Sequence, residues 1–228
     1  MNLPASAGPS PGTRALNRKR TRDTLVHAAL DLFLRHGYDE TTVEEISAVA
    51  AVSQRTFFRY FDSKEDVALS FQEALEQQLI QALRARPAEE PPLTALRQAS
   101  LVTWGNLERL FEEVASYELC VGMPRLVDSS PGLLGAHLRR AIALEEELAL
   151  EIARREGVDP DLDLRPRILV AAVFGAMHVV NRVWSRQHPE DLWALRALTL
   201  VHLDQLSTAL TSDWLPDTPL TRTPEKWD

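Results

Sequence analysis

From Arg18 to about residue 212 the apolar side chains recur three and four residues apart, and a period of two is nowhere sustained. That is the spacing of helices with one buried face, and it excludes a sheet. The chain is therefore predicted to be all-α. Glycine and proline punctuate it. A first helix is predicted over Arg18–His36, with Leu25, Ala29, Leu32, Phe33 and His36 on one stripe and Gly37 ending it. Thr42, Ser53 and Ser63 each stand where an N-cap would start a further helix. These are a short one over Val43–Ala50, a second over Gln54–Phe61, and a third from Lys64 to about Arg86. Thr42 with Glu45 has the spacing of a capping box. Beyond Pro87, Pro91 and Pro92, helices are predicted over 93–106, 108–121, 132–156, 165–187 and 190–212, with Pro124 and Pro131 bracketing an irregular stretch. The Pro-, Gly- and Ser-rich start reads as a disordered leader and residues 213–228 as a loose tail. The expected domains are 1–17 leader, 18–63 a three-helix unit, 64–212 a larger helical bundle, and 213–228 tail.

The most specific stretch is Thr41–Val67, TTVEEISAVAAVSQRTFFRYFDSKEDV. Two short capped helices joined by Ala51-Val52-Ser53 are the parts of a helix-turn-helix, whose second helix lies in the DNA major groove. Phe57 and Phe61, four apart, are expected to face inward against Ile46, Val49 and the first helix. Gln54, Arg55, Thr56, Phe58, Arg59 and Tyr60 then occupy the other faces. Arg55 has the geometry for guanine and Gln54 for adenine, and Phe58 suits a thymine methyl. Thr42, Ser53 and Tyr60 carry hydroxyls suited to phosphate. Lys64, at the start of the following helix, is expected to clamp a phosphate together with that helix's free N–H groups.

Charge distribution fits an object that meets nucleic acid with one end. Residues 1–64 carry nine Lys or Arg against seven Asp or Glu, a net of +2, whereas residues 65–228 carry 16 against 26, a net of −10. Arg14, Arg18, Lys19, Arg20 and Arg22 cluster around the start of the first helix, as either a solubilising leader or an arm for the minor groove. Cys120 is the single cysteine, so neither an internal disulfide nor a cysteine metal site is expected, and a reducing cytoplasm is the expected compartment. No signal peptide and no membrane association are expected, the best apolar run, Ile168–Val180, being short and interrupted by His178.

The run Ala29–Val67, ALDLFLRHGYDETTVEEISAVAAVSQRTFFRYFDSKEDV, resembles the tetracycline-repressor family of bacterial regulators. The resemblance covers about a fifth of the chain. It implies a two-domain, all-helical homodimer that binds palindromic double-stranded DNA and leaves it when a small molecule occupies the larger domain. It places Thr42, Ser53, Tyr60 and Lys64 on phosphates and Gln54, Arg55 and Phe58 near bases. This chain departs from the family pattern at three of these positions: Phe58 where Tyr is frequent, Tyr60 where His is frequent, and Arg55 where a small residue is frequent. The wording Arg-Thr-Phe-Phe-Arg-Tyr-Phe is similar to an actinobacterial subgroup with members that bind acyl-CoA thioesters.

In the larger bundle, Trp104, Phe111, Tyr117, Met123, Phe174, Met177, His178 and Asn181 are candidates to line a pocket for an apolar or acyl-type effector. Arg182 beside them is a further polar candidate. The last two helices carry broad apolar stripes, one with Val173, Phe174, Met177, Val180, Val183 and Trp184, the other with Leu192, Leu195, Leu198, Leu203, Leu206 and Leu210. One face of each fills a bundle; the surplus predicts a dimer interface. No metal-ligand spacing, phosphate loop or nucleophile motif is present, so no cofactor, no metal and no enzymatic activity are expected.

Overall fold

The computed structural model describes residues 11–114, 116–187 and 191–211. Among these residues it contains eleven helices and no strand: α1 Pro11–His36, α2 Val43–Val49, α3 Gln54–Phe57, α4 Lys64–Ala68, α5 Ser70–Arg84, α6 Pro92–Gly105, α7 Leu107–Glu113, α8 Tyr117–Ser129, α9 Pro131–Glu156, α10 Arg165–Gln187 and α11 Leu192–Thr211. The tail from 212 and the first ten residues of the expected leader lie outside the described residues.

Four boundaries differ from the sequence expectation. The first helix begins at Pro11, so the segment 11–17 expected as leader is helical. Proline suits a first turn, and Arg, Ala and Leu beyond it are good helix formers. The third helix keeps α geometry only to Phe57. Beyond it the chain tightens into turns, Arg59 N–H donating to Thr56 O (3.2 Å) and Tyr60 N–H to Phe57 O (2.8 Å). The long helix after Lys64 breaks at Leu69 (φ −93°, ψ 10°), where the Ser70 hydroxyl donates back to Val67 O. The stretch around Pro124, expected to be irregular, is the interior of α8. Proline there removes one helical hydrogen bond, at a cost of about 3 kcal/mol. Burial of Cys120, Met123, Leu126 and Val127 on the same helix offsets it, at roughly 1.5–3 kcal/mol for each large apolar side chain.

The chain forms two compact units, Met1–Ala82 with Val102–Leu144, and Leu83–Leu101 with Glu145–Asp228. In the first, α1 packs on α2, α4 and α8, and α2 on α3. Leu25, Ala29 and Phe33 of α1, Ile46 of α2 and Phe57 of α3 are completely buried there. Gly37 takes φ +92°, a conformation only glycine adopts without strain, and its N–H closes α1 on Phe33 O at 2.9 Å. A polar network joins α5 to the first half of α9 in the same unit. The buried Glu76 carboxylate accepts from Arg140 Nε (2.6 Å) and Gln72 Nε2 (2.7 Å), and Gln72 Oε1 meets His137 Nδ1 at 2.7 Å.

In the second unit α10 and α11 pack along their length. Val170, Val173, Phe174, Val180 and Trp184 are buried on one, Leu192, Leu195, Leu203 and Leu206 on the other. The Trp184 indole donates to Asp191 O (2.6 Å), and Arg97 pairs with Asp204 through both carboxylate oxygens. The Arg155 guanidinium donates to the carbonyls of Arg86 (2.9 Å) and Pro87 (2.7 Å), placing a cation at the C-terminal end of α5. Within α10, Arg165–Trp184 is long and apolar enough to cross a membrane by length and composition alone. Cores of water-soluble helical proteins pass the same test.

Candidate nucleic-acid interface

The helix-turn-helix is assembled by its caps. The Thr42 hydroxyl accepts from Glu45 N–H (3.2 Å), and Glu45 Oε2 accepts from Thr42 N–H and from the Thr42 hydroxyl, both at 2.8 Å. These bonds hold the Glu45 carboxyl below its ordinary value, the Thr42 backbone bond being the main cause. Ser53 Oγ accepts from Thr56 N–H (3.2 Å) and shares a hydrogen bond with Thr56 Oγ1 (3.0 Å). Between the caps, Ala51 takes φ 53°, the left-handed turn that lets α3 start in a new direction.

The turn divides the faces of α3 sharply. Phe57 and Phe61 are buried, ring centroids 5.7 Å apart, as the four-residue spacing predicts. Gln54, Arg55, Phe58 and Arg59 are exposed; Thr56 and Tyr60 are half-buried. Phe58 leaves 52% of its surface in water, edge-on to Phe57, and Arg59 lies 5.2 Å over the Tyr60 ring. Phe58 and the arginines on either side of it thus leave an apolar ring and two cations on the exposed face. Val49, expected inside, is 59% exposed, because α2 ends there and its side chain points into an open groove also lined by Arg20, Asp23 and Thr24.

Two features differ from the expected phosphate clamp. The Lys64 ammonium points inward. It donates to Tyr38 O (2.7 Å), Thr41 O (2.9 Å) and Asp39 O (3.5 Å), and sits 4.2 Å over the Tyr38 ring. All three of its protons are therefore engaged by the loop that precedes α2. Burial, helped by the neighbouring Glu65 carboxylate, pushes the Tyr38 phenol well above its ordinary range, so the ring under Lys64 stays neutral. The cap of α4 takes one N–H of its first turn: Ser63 Oγ accepts from Asp66 N–H (3.1 Å), while Asp66 Oδ2 accepts from the N–H groups of Asp62 (3.1 Å) and Ser63 (3.0 Å) ahead of the helix. Thr42, too, has its single hydroxyl proton on Glu45, so donation to a phosphate requires that bond to open.

Arg22, which the sequence groups with the basic cluster as leader or minor-groove arm, has a packing role in the fold. Its guanidinium lies 5.2 Å from the centre of the Phe61 ring and 3.6 Å from Glu73 of α5, fixing α1 against the end of the recognition segment. The signal was available, since Arg22 stands three residues before Leu25 on the buried stripe. The effector candidates fall in both units. In the first, Phe111 stacks on Phe71 (5.6 Å) and meets Tyr117 edge-on (5.4 Å), Met123 is buried and Trp104 half-buried. In the second, Phe174 is buried and Met177 half-buried, whereas His178, Asn181 and Arg182 are exposed. No group of His, Cys, Asp and Glu able to hold a metal occurs among the described residues.

Two short capped helices with a left-handed turn and an outward Gln-Arg-Phe-Arg surface define a helix-turn-helix DNA-binding protein. Residues 25–71 match the tetR family of bacterial regulatory proteins, and residues 90–211 match the MftR C-terminal domain. The chain is 44% identical over 204 residues to the HTH-type transcriptional regulator TcmR of Streptomyces glaucescens, covering 90% of each. It is 25% identical over 178 residues to the mycofactocin biosynthesis regulator MftR of Mycobacterium tuberculosis, covering 76% of this chain and 86% of that one. The same fold recurs in a TetR-family regulator from Syntrophomonas wolfei (TM-score 0.58, 19% identity, 87% and 99% covered) and in the SmeT–triclosan complex (0.56, 20%, 83% and 91%). The chain belongs to the TetR family of transcriptional regulators. Proteins of this family bind DNA as dimers and respond to small molecules.

Proposed function

We propose that this protein is a dimeric repressor that reads a palindromic operator through Gln54, Arg55, Phe58 and Arg59, with Thr42, Ser53, Thr56 and Tyr60 on the backbone. It is released by a small apolar or acyl-type effector. The observation that carries the reading is the continuous exposed surface Gln54-Arg55-Phe58-Arg59, on a helix whose other side is anchored by the fully buried Phe57. Arg55 and Gln54 supply the bidentate donors and acceptors that distinguish base pairs in the major groove. Lys64 enters as a support of the α2 entry loop, since its protons are already held by three carbonyls.

The effector site is assigned to the part of the chain beyond α5, with the half-buried Phe111 and Tyr117 as the first residues to test. The dimer is assigned to the outer side of α10, where Ile168, Val179 and Val183 remain exposed in the single chain.

The test is Arg55→Ala, compared with the unaltered protein on a duplex selected from random sequence and on unselected DNA. Loss of one bidentate pair is worth roughly 1–3 kcal/mol of discrimination, about ten- to hundredfold. Equal weakening on both duplexes makes Arg55 a phosphate contact and removes it from base reading.

A further inference from the structure

The turns of α1 from Ala15 to Arg20 bury no side chain. The first completely buried residue of the helix is Leu25, and Ala15 through Arg20 are all exposed. A helix without a buried face is marginal in water and draws its stability from a partner. Its composition says which kind. Residues 11–22 contain Arg14, Arg18, Lys19, Arg20 and Arg22 and no acidic residue, in a chain of net charge −8. Lys19 is answered by Asp23 at 3.1 Å and Arg22 by Glu73 at 3.6 Å. Arg18 and Arg20 have no carboxylate partner among the described residues.

Position matters as much as charge. Arg22 lies over Phe61, which closes the recognition segment, and Arg20 lines the groove that Val49, the last residue of α2, also lines. The basic turns thus end where α1 meets α2 and the turn that follows α3. From Arg22 back to Pro11 the helix rises about 16 Å, the length of about five base pairs. A cationic helix of this length beside the recognition segment suits a polyanion that continues beyond the bases being read.

We propose that the N-terminal turns of α1, through Arg14, Arg18 and Arg20, form a second DNA contact on the phosphate backbone flanking each half-site. The proposal rests on the DNA-binding reading above and adds reach to it. Each neutralised phosphate contributes about 0.9 to the slope of log affinity against log salt. Three residues per protomer therefore account for a slope of up to about five in the dimer.

The experiment uses the full-length protein and the variant Arg14→Ala/Arg18→Ala/Arg20→Ala. Alanine favours helix, and Lys19–Asp23 and Arg22–Phe61 are left in place, so circular dichroism should be unchanged. The probe is one duplex selected from random sequence by the unaltered protein, used trimmed to the bases that the variant protects and extended by about five base pairs on each side. The unaltered protein is expected to bind the extended duplex at least about tenfold more tightly. The variant should bind both lengths alike, with a salt slope shallower by about three to five. An unchanged slope in the variant, or no preference for the longer duplex in the unaltered protein, overturns the proposal while leaving the recognition surface standing. Tighter binding by the variant also overturns it, since the basic turns would then be held on the protein's own acidic surface. Failure of the unaltered protein to discriminate selected from unselected DNA overturns the recognition reading and this proposal together.

Discussion

Replacing Lys64 by methionine separates two physical readings of the same side chain. In the structure its ammonium is shared by the carbonyls of Tyr38, Thr41 and Asp39 and rests on the Tyr38 ring. Tyr38 and Thr41 are themselves buried, at 3% and 1% exposure, so their carbonyls cannot recover the lost bonds from bulk water without opening the loop. A hydrogen bond to a charged group contributes about 1.5–3 kcal/mol net, and a stranded buried carbonyl costs about 1–3 kcal/mol. The ring contact adds about 0.5–1 kcal/mol. The three bonds share one cation that is fully hydrated in the unfolded chain, so these figures do not add. A loss of about 2–4 kcal/mol is the expectation. Urea unfolding followed by circular dichroism gives the total, and faster amide exchange over residues 37–45 localises it. A phosphate-clamping Lys64 predicts the opposite pattern: stability unchanged and the salt slope of DNA binding reduced by about one for each protomer. That pattern, with a stability change below about 0.5 kcal/mol, refutes the structural role.

Ala51→Gly should raise stability by about 0.5–1 kcal/mol in the same urea experiment, because it relieves a left-handed alanine at φ 53° while adding freedom to the unfolded chain. Glu45→Gln tests the cap. The folded-state carboxyl titrates below its ordinary 4.5, so its stabilisation is present above about pH 4.5 and is lost as the pH falls; the gap between variant and parent should be constant above that pH and close below it. Burial, with the Glu118 charge as a lesser cause, pushes the Cys120 thiol up to about 12, so a disulfide reagent near about pH 8 should label it slowly in the native protein and quickly in urea. Ile168→Glu with Val179→Glu should give helical monomers by light scattering, and a double variant that remains dimeric places the interface off this face of α10.

The helix-turn-helix was legible because its information is local. Caps at Thr42, Ser53 and Ser63, a glycine after His36 and the four-residue Phe57–Phe61 spacing act within one or two turns, and each is where the residue pattern places it. The end of α3 was not legible, since Phe58 to Phe61 have ordinary helical preferences and their turns are set by burying Phe61 under Arg22. Pro124 misled for a related reason: the tertiary burial of its neighbours outweighs a local cost. Lys64 shows the limit most plainly. A lysine after an N-cap looks the same in sequence whether its ammonium faces a phosphate or a set of carbonyls 23 to 26 residues earlier.

The two terminal helices make the same point in energetic terms. Periodicity correctly implies that α10 has more apolar surface than one core requires, but it cannot say which stripe faces which way. Val173, Phe174, Val180 and Trp184, grouped in sequence in one broad apolar stripe with Met177 and Val183, lie on one face and are buried within the protomer. The surplus stands on the other side, where Ile168, Val179 and Val183 are 64%, 52% and 38% exposed. On α11, Leu203 and Leu206 are likewise internal, at 4% and 9%, whereas Trp193 and Val201 face water. Glutamate at Leu203 or Leu206 would bury an unpaired charge, at a cost of several kcal/mol, and would unfold the unit before it reported on assembly. Glutamate at Ile168 or Val179 remains hydrated in the single chain and is desolvated only when a second copy covers it. A loss of dimer without a loss of helix at those two positions is therefore specific to assembly.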